Sequence, residues 1–108
     1  MSENRRQHFR VEYPSESAPK LLSSGEPLKV LDLSEHGLRF QPKSTVTFKT
    51  GNNFAGSLTF QSGESFLVFG IIRRVNADTI SIELKKPIPL RIIMAEQRRL
   101  IQLFQKRA

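Results

Sequence analysis

The chain has no cysteine, no tryptophan and a single tyrosine. Without cysteine there is no disulfide framework, no thiolate zinc site and no cysteine nucleophile. One tyrosine, no tryptophan and phenylalanines that mostly read as core leave few platforms on which nucleic-acid bases could stack. No apolar run approaches the ~18 residues that a membrane-spanning helix needs. The segment Met1 to Arg10 holds no apolar core of a secretory signal. The expected location is therefore the cytoplasm, with no membrane span. Acidic residues are few, 10 Asp and Glu against 17 Lys and Arg, and they are scattered singly. No nucleophile–base pair, no neighbouring pair of carboxylates and no glycine-rich phosphate loop stands out, so the chain does not read as an enzyme. Two histidines on separate elements are too few for a metal site.

What is present is a basic chain of 108 residues with a formal net charge of +7. That length is one domain with one core. The charge favours anionic partners: nucleotides, nucleic acid or an anionic membrane surface. It is concentrated at the two ends, in Arg5, Arg6 and Arg10 and in Arg91, Arg98, Arg99, Lys106 and Arg107.

Residues 1–8 are polar, and residues 1–10 read as a mobile arm. From Phe9 to about Lys86 the pattern is β, with short apolar stretches punctuated by turn residues. Leu28, Val30 and Leu31 end at the corner 32–37. Leu38 and Phe40 resume until Pro42, Val46 and Phe48 alternate, and 51–53 mark a turn. Leu58 and Phe60 alternate again before Ser62-Gly63. Residues 66–72 are apolar on both faces, as in a central strand, and place Phe66 and Phe69 in the core. After a turn at 76–78, Ile80, Ile82 and Leu84 share one face. Five to seven such strands make a small antiparallel barrel or sandwich. Pro87 and Pro89 end the β region. A helix is expected over about residues 90–105, with Leu90, Ile93, Met94, Leu100, Ile101 and Phe104 on its apolar stripe and Glu96, Arg98, Gln102 and Lys106 opposite. The stripe is expected to pack on the β unit; a helix lying on a membrane surface is the alternative.

Two short motifs carry the chemistry. The first is Arg6-Gln7-His8-Phe9-Arg10, an Arg-x-x-x-Arg preceded by Arg5. The second is Asp32-Leu33-Ser34-Glu35-His36-Gly37, an Asp-x-Ser-x-x-Gly. Guanidinium forks match phosphate oxygens and the Hoogsteen edge of guanine, and they stack on purines. The Asp32 carboxylate suits the N1 and N2 donors of guanine, and the Ser34 hydroxyl can bond base or phosphate. Gly37 permits positive φ or close approach of a ligand. His36 and Arg74 are weaker candidates: the first as a phosphate partner or a surface turn residue, the second as a stacking cation or a solvated strand end. Taken alone, the second motif also fits a hairpin corner bonded to its own backbone.

In this order and spacing, ahead of a β domain, the motifs resemble the signature of the PilZ domain, the bacterial receptor module for cyclic di-GMP. Phe9-Arg10-Val11 entering the first strand, Gly70-Ile71-Ile72-Arg73-Arg74 and a C-terminal helix extend the resemblance along nearly the whole chain. It implies a six-stranded antiparallel β-barrel of the split-barrel kind with a C-terminal helix, occupying residues 9–107. It implies that Arg6 and Arg10 fold over cyclic di-GMP, that Asp32 and Ser34 meet its guanine, and that Gly37 keeps the turn open. Arg5 in front of the motif implies two ligand molecules bound as an intercalated dimer. Signalling to an unknown protein partner, in motility, pili, biofilm or virulence, would follow from a change of conformation. No cofactor beyond this ligand is implied, and no nucleic acid is expected. A basic small β-barrel that binds RNA or single-stranded DNA is the competing reading.

Overall fold

In a computed structural model of the chain, residues 10–43 and 47–107 are described. Arg5, Arg6, His8 and most of the proposed arm lie outside that range. Among the described residues, seven strands precede one helix: β1 (Arg10–Glu12), β2 (Lys20–Ser23), β3 (Glu26–Ser34), β4 (Gly37–Gln41), β5 (Asn53–Thr59), β6 (Ser65–Val75), β7 (Ile80–Leu84) and α1 (Leu90–Arg107). A single 3-10 turn, Ser15–Ser17, joins β1 to β2.

All strand pairs are antiparallel, in the order β3-β2-β5-β6-β7-β4, and a β3–β4 pairing closes the ring. The result is the six-stranded antiparallel barrel expected above, with one strand added. The extra strand is β1. On a single edge of β3, Lys29 and the residues before it pair with β2, while Asp32, Leu33 and Ser34 pair with β1. The other edge of β3 carries β4.

Period-2 patterning decides what is inside. In β7, Ile80, Ile82 and Leu84 are buried. Phe40, Leu21, Leu33, Leu38, Leu58, Ile93, Val11, Val30 and Val68 are among the most deeply buried side chains with Ile80. Such side chains contribute about 1.5–3 kcal/mol each on burial. Phe40, Phe48 and Phe54 form one aromatic cluster, with centroids 5.2–6.4 Å apart.

The structure departs from the sequence reading in four places. First, β2 was not anticipated. It forms a hairpin with β3 through Ser24 (φ 52°) and Gly25 (φ 78°), the paired left-handed geometry of a tight hairpin turn. Second, the segment 47–49 carries no strand, although Phe48 still packs on the core; Val46 lies outside the described residues. Third, β6 is not apolar on both faces in the buried sense. Val68, Gly70 and Ile72 point inward, whereas Leu67 and Phe69 are exposed on the outside. Phe69 is therefore not a core residue, because no element among the described residues covers that face of the barrel.

Fourth, the helix is rotated from the predicted stripe. Ile92, Ile93 and Leu100 are buried, and so is Glu96, while Leu90 and Ile101 are exposed. A carboxylate on the packed face is tolerated because it is fully bonded. The Tyr13 hydroxyl donates to Glu96 Oε1 at 2.7 Å. Arg99 donates to Glu96 through Nε at 2.9 Å, and to the Ser17 carbonyl at 2.9 Å. This clamp ties α1 to the chain just beyond β1. Among the described residues, no helix is long and apolar enough to cross a membrane.

Candidate ligand-binding site

Two β-bulges give the barrel wall its local shape. The β3–β4 register slips between Val30 and Asp32, and the β6–β7 register slips between Ile72 and Arg74. A bulge twists its strand and re-aims the side chains beyond it. Beyond the two bulges the pairing is Asp32↔Arg39, Arg39↔Ser81 and Arg74↔Ser81, so these four residues form one row across β3, β4, β7 and β6. Arg10 pairs with Ser34, two residues beyond Asp32 on β3.

That row borders an open hollow of about 380 Å³. Arg10, Asp32, Ser34 and Gly37 line it together with Arg39, Arg73 and Arg74. Four guanidinium groups thus face one carboxylate, a lining suited to an anion. Arg73 is already paired with Glu83. Arg74 is exposed and has no ion-pair partner among the described residues.

Asp32 is buried, and both of its oxygens are engaged. Arg39 Nε donates to Oδ2 at 2.7 Å, with a second guanidinium nitrogen beside the same oxygen. Arg10 stands 3.6 Å from Oδ1. The bond to Asp32 is the main reason that the Arg39 guanidinium is held above its ordinary range. A carboxylate has about four acceptor positions, so Asp32 anchors two arginines and keeps capacity for further donors.

Gly37 does not use positive φ. A Cβ there would sit 3.3 Å from Ser34 Oγ, so its bareness leaves the Ser34 hydroxyl its room. The loop between β3 and β4 is held from behind: Leu84 N donates to the His36 carbonyl and Ile88 N to that of Glu35, both at 2.8 Å. His36 is exposed, and its side chain is not among those lining the hollow.

The hollow thus unites Arg10, Asp32, Ser34, Gly37 and Arg74 from the sequence reading. Arg39 and Arg73 were not singled out as site residues. The signal for Arg39 was its place two residues after Gly37, on a strand whose neighbours Leu38 and Phe40 face inward. Arg5 and Arg6 lie outside the described residues.

A family model for the PilZ domain matches residues 4–105. The chain belongs to the PilZ domain family. This is a family of cyclic di-GMP receptor domains. No curated protein matches the chain in sequence. Among solved structures, the PilZ fold seen here is similar to the inhibitor of motility MotI/DgrA of Bacillus subtilis, with a TM-score of 0.73 at 12% identity. That similarity covers 91% of this chain and 52% of the Bacillus protein, so the chain spans about half of its length. An uncharacterized Legionella protein, Lpg0364, aligns with a TM-score of 0.58 at 14% identity, over 91% of both chains.

Proposed function

We propose that this PilZ domain is a cytoplasmic receptor that binds cyclic di-GMP at the hollow beside the second bulge and passes the binding event to a protein partner. It acts as a binding module and not as an enzyme. The observation that carries this reading is the meeting of Arg10, Asp32, Ser34 and Gly37, drawn from two separate motifs, around one hollow rich in guanidinium groups. Arg10 and Arg74 bind phosphate or the guanine edge, with Arg39 and Asp32 setting the position of Arg10 from below. Ser34 adds a hydroxyl bond. Arg6 lies four residues before Arg10, so its Cα is within about 14 Å of that of Arg10, and Arg5 is one residue further. Both are close enough in chain length to fold over a ligand seated in the hollow. Arg5 supplies the additional fork for a second, stacked cyclic di-GMP, which gives two ligands per chain.

Titration calorimetry with cyclic di-GMP tests both parts. Wild type is expected to bind two molecules. Arg6→Ala and Arg10→Ala are expected to abolish binding, and Arg5→Ala to reduce the ratio to one. Unchanged affinity in Arg10→Ala refutes the site, and a ratio of one on wild type refutes the ligand pair.

A further inference from the structure

The outer face of β2, β5 and β6 lies away from the ligand hollow and carries the largest exposed apolar side chains of the barrel. Leu67 is 68% exposed, Phe69 47% and Leu22 46%. The register places them together. Leu22 pairs with Ser57, Ser57 with Leu67, and Ala55 with Phe69. Small residues on β5 therefore form a floor between Leu22 on one side and Leu67 and Phe69 on the other. At ordinary strand spacing this trough is about 10 Å across. Two further hollows open beside Phe69. One, of about 310 Å³, includes Lys85 in its lining; the other, of about 470 Å³, includes Leu67, Lys86 and Pro87.

The rim of this face is basic. Lys85 and Lys86 are exposed beside Phe69, and Lys20 is exposed two residues before Leu22 on β2. Among the described residues, the acids Glu64, Glu83 and Glu26 near this face are paired with Arg91, Arg73 and Lys43. An apolar trough with a lysine rim, on a chain of net charge +7, disfavours a second copy of itself, which would bring like charges together. The low floor of small residues between Leu22 and the pair Leu67 and Phe69 and the paired hollows suit inserted side chains better than the flat surface of a bilayer.

We propose that this face docks an acidic, leucine-bearing segment of a protein partner, with apolar side chains in the trough and carboxylates on Lys85 and Lys86. The segment that carries these lysines also touches the ligand corner. Leu84 N and Ile88 N hold the carbonyls of His36 and Glu35, while Lys85 N donates to the Phe69 carbonyl at 2.8 Å. One strap thus joins the loop of the second motif to the docking face, which makes that face the output of the receptor. This last role rests on the cyclic di-GMP reading; the docking itself does not.

The test is amide chemical-shift mapping of the full chain, without nucleotide, during titration with a short peptide that alternates leucine and glutamate. A leucine–lysine peptide is the control. Saturable shifts confined to residues 20–23, 55–57, 65–70 and 84–88 are expected. Phe69→Ser is expected to weaken binding about tenfold or more, as the loss of a central aromatic anchor does. Lys85→Glu with Lys86→Glu is expected to reverse the preference toward the leucine–lysine peptide, an outcome that misfolding would not produce. Absence of shifts, or equal binding of both peptides by wild type, overturns the proposal. Binding of phosphatidylglycerol vesicles through these residues while the peptide fails makes the face a membrane contact and overturns it. Concentration-dependent self-association that Phe69→Ser abolishes, again with no peptide binding, overturns it in favour of a homodimer.

Discussion

Replacing Arg39 with alanine tests how the hollow is built, because Arg39 belongs to neither motif. Its Nε bonds Asp32 Oδ2 at 2.7 Å, and Asp32 has a side chain only 5% exposed. Removing the guanidinium leaves that carboxylate with Arg10 alone, at 3.6 Å. A hydrogen bond to a charged group contributes about 1.5–3 kcal/mol. The Arg39 side chain is itself 42% exposed, so solvent screens part of the interaction, and water fills the space that it vacates. We therefore expect the low end, about 1.5 kcal/mol, read as a shift in the urea midpoint at constant slope. A double-mutant cycle with Asp32→Ala should return a coupling of about 1 kcal/mol. Affinity for cyclic di-GMP should fall about tenfold, equivalent to about 1.4 kcal/mol, because the hollow loses one of the guanidinium groups that line it and Asp32 loses the fork that fixes its carboxylate. Arg39→Lys keeps the charge but not the fork, and should restore stability better than affinity. The reasoning fails if Arg39→Ala binds the ligand as tightly as wild type, or if the cycle shows no coupling.

Tyr13 is raised above its ordinary value of 10.0, first by burial and then by its bond to Glu96. The folded chain keeps this proton where the unfolded chain releases it, so the contribution is complete below about pH 10 and declines above it. As the only tyrosine, it can be followed by phenolate absorbance, which should appear only with unfolding; Tyr13→Phe should show a weaker loss of stability above pH 10. Arg99→Ala strands the buried Glu96 with Tyr13 alone and should cost about 3 kcal/mol in chemical denaturation. An apolar replacement of Tyr13, Glu96 and Arg99 together should recover most of it. Gly70→Ala pushes a methyl to 2.6 Å from Ile82 Cγ2 and against the Glu83 backbone, with an expected cost of about 2–3 kcal/mol in thermal unfolding. Gly37→Ala meets only Ser34 Oγ at 3.3 Å and the Ile82 carbonyl at 3.8 Å. It should leave stability within about 1 kcal/mol but lower ligand affinity by calorimetry.

The barrel was legible where alternation was clean, as along Ile80, Ile82 and Leu84, and where turn residues interrupted it. The β2–β3 hairpin leaves little trace in sequence because its paired residues, 20–23 and 26–29, include only Leu21, Leu22 and Leu28 as apolar side chains apart from Pro27, and a Ser-Gly turn is a weak signal. Leu67 and Phe69 misled for a physical reason: periodicity reports which residues are apolar, not whether anything covers them. Glu96 misled in the opposite sense. Its partner Tyr13 lies 83 positions away in sequence, and no local pattern tells a buried, bonded carboxylate from a solvated one. In the hollow, Arg10, Asp32, Ser34 and Gly37 could be read from their spacing. The approach of Arg39, Arg73 and Arg74 depends on two bulges, and a one-residue slip of register leaves no mark in composition.

The division of one edge of β3 between two strands separates closure from attachment. The ring shuts through β3–β4 without β1, so β1 can leave its edge as a small cooperative unit while the barrel amides stay protected. That strand begins at Arg10, in the hollow, and is followed at once by Tyr13, bonded to the helix. In hydrogen exchange, the amides of Arg10–Glu12 and of the helix turn around Glu96 should therefore open together, well below the free energy of global unfolding. They form a lever three residues long whose two ends rest on different parts of the molecule.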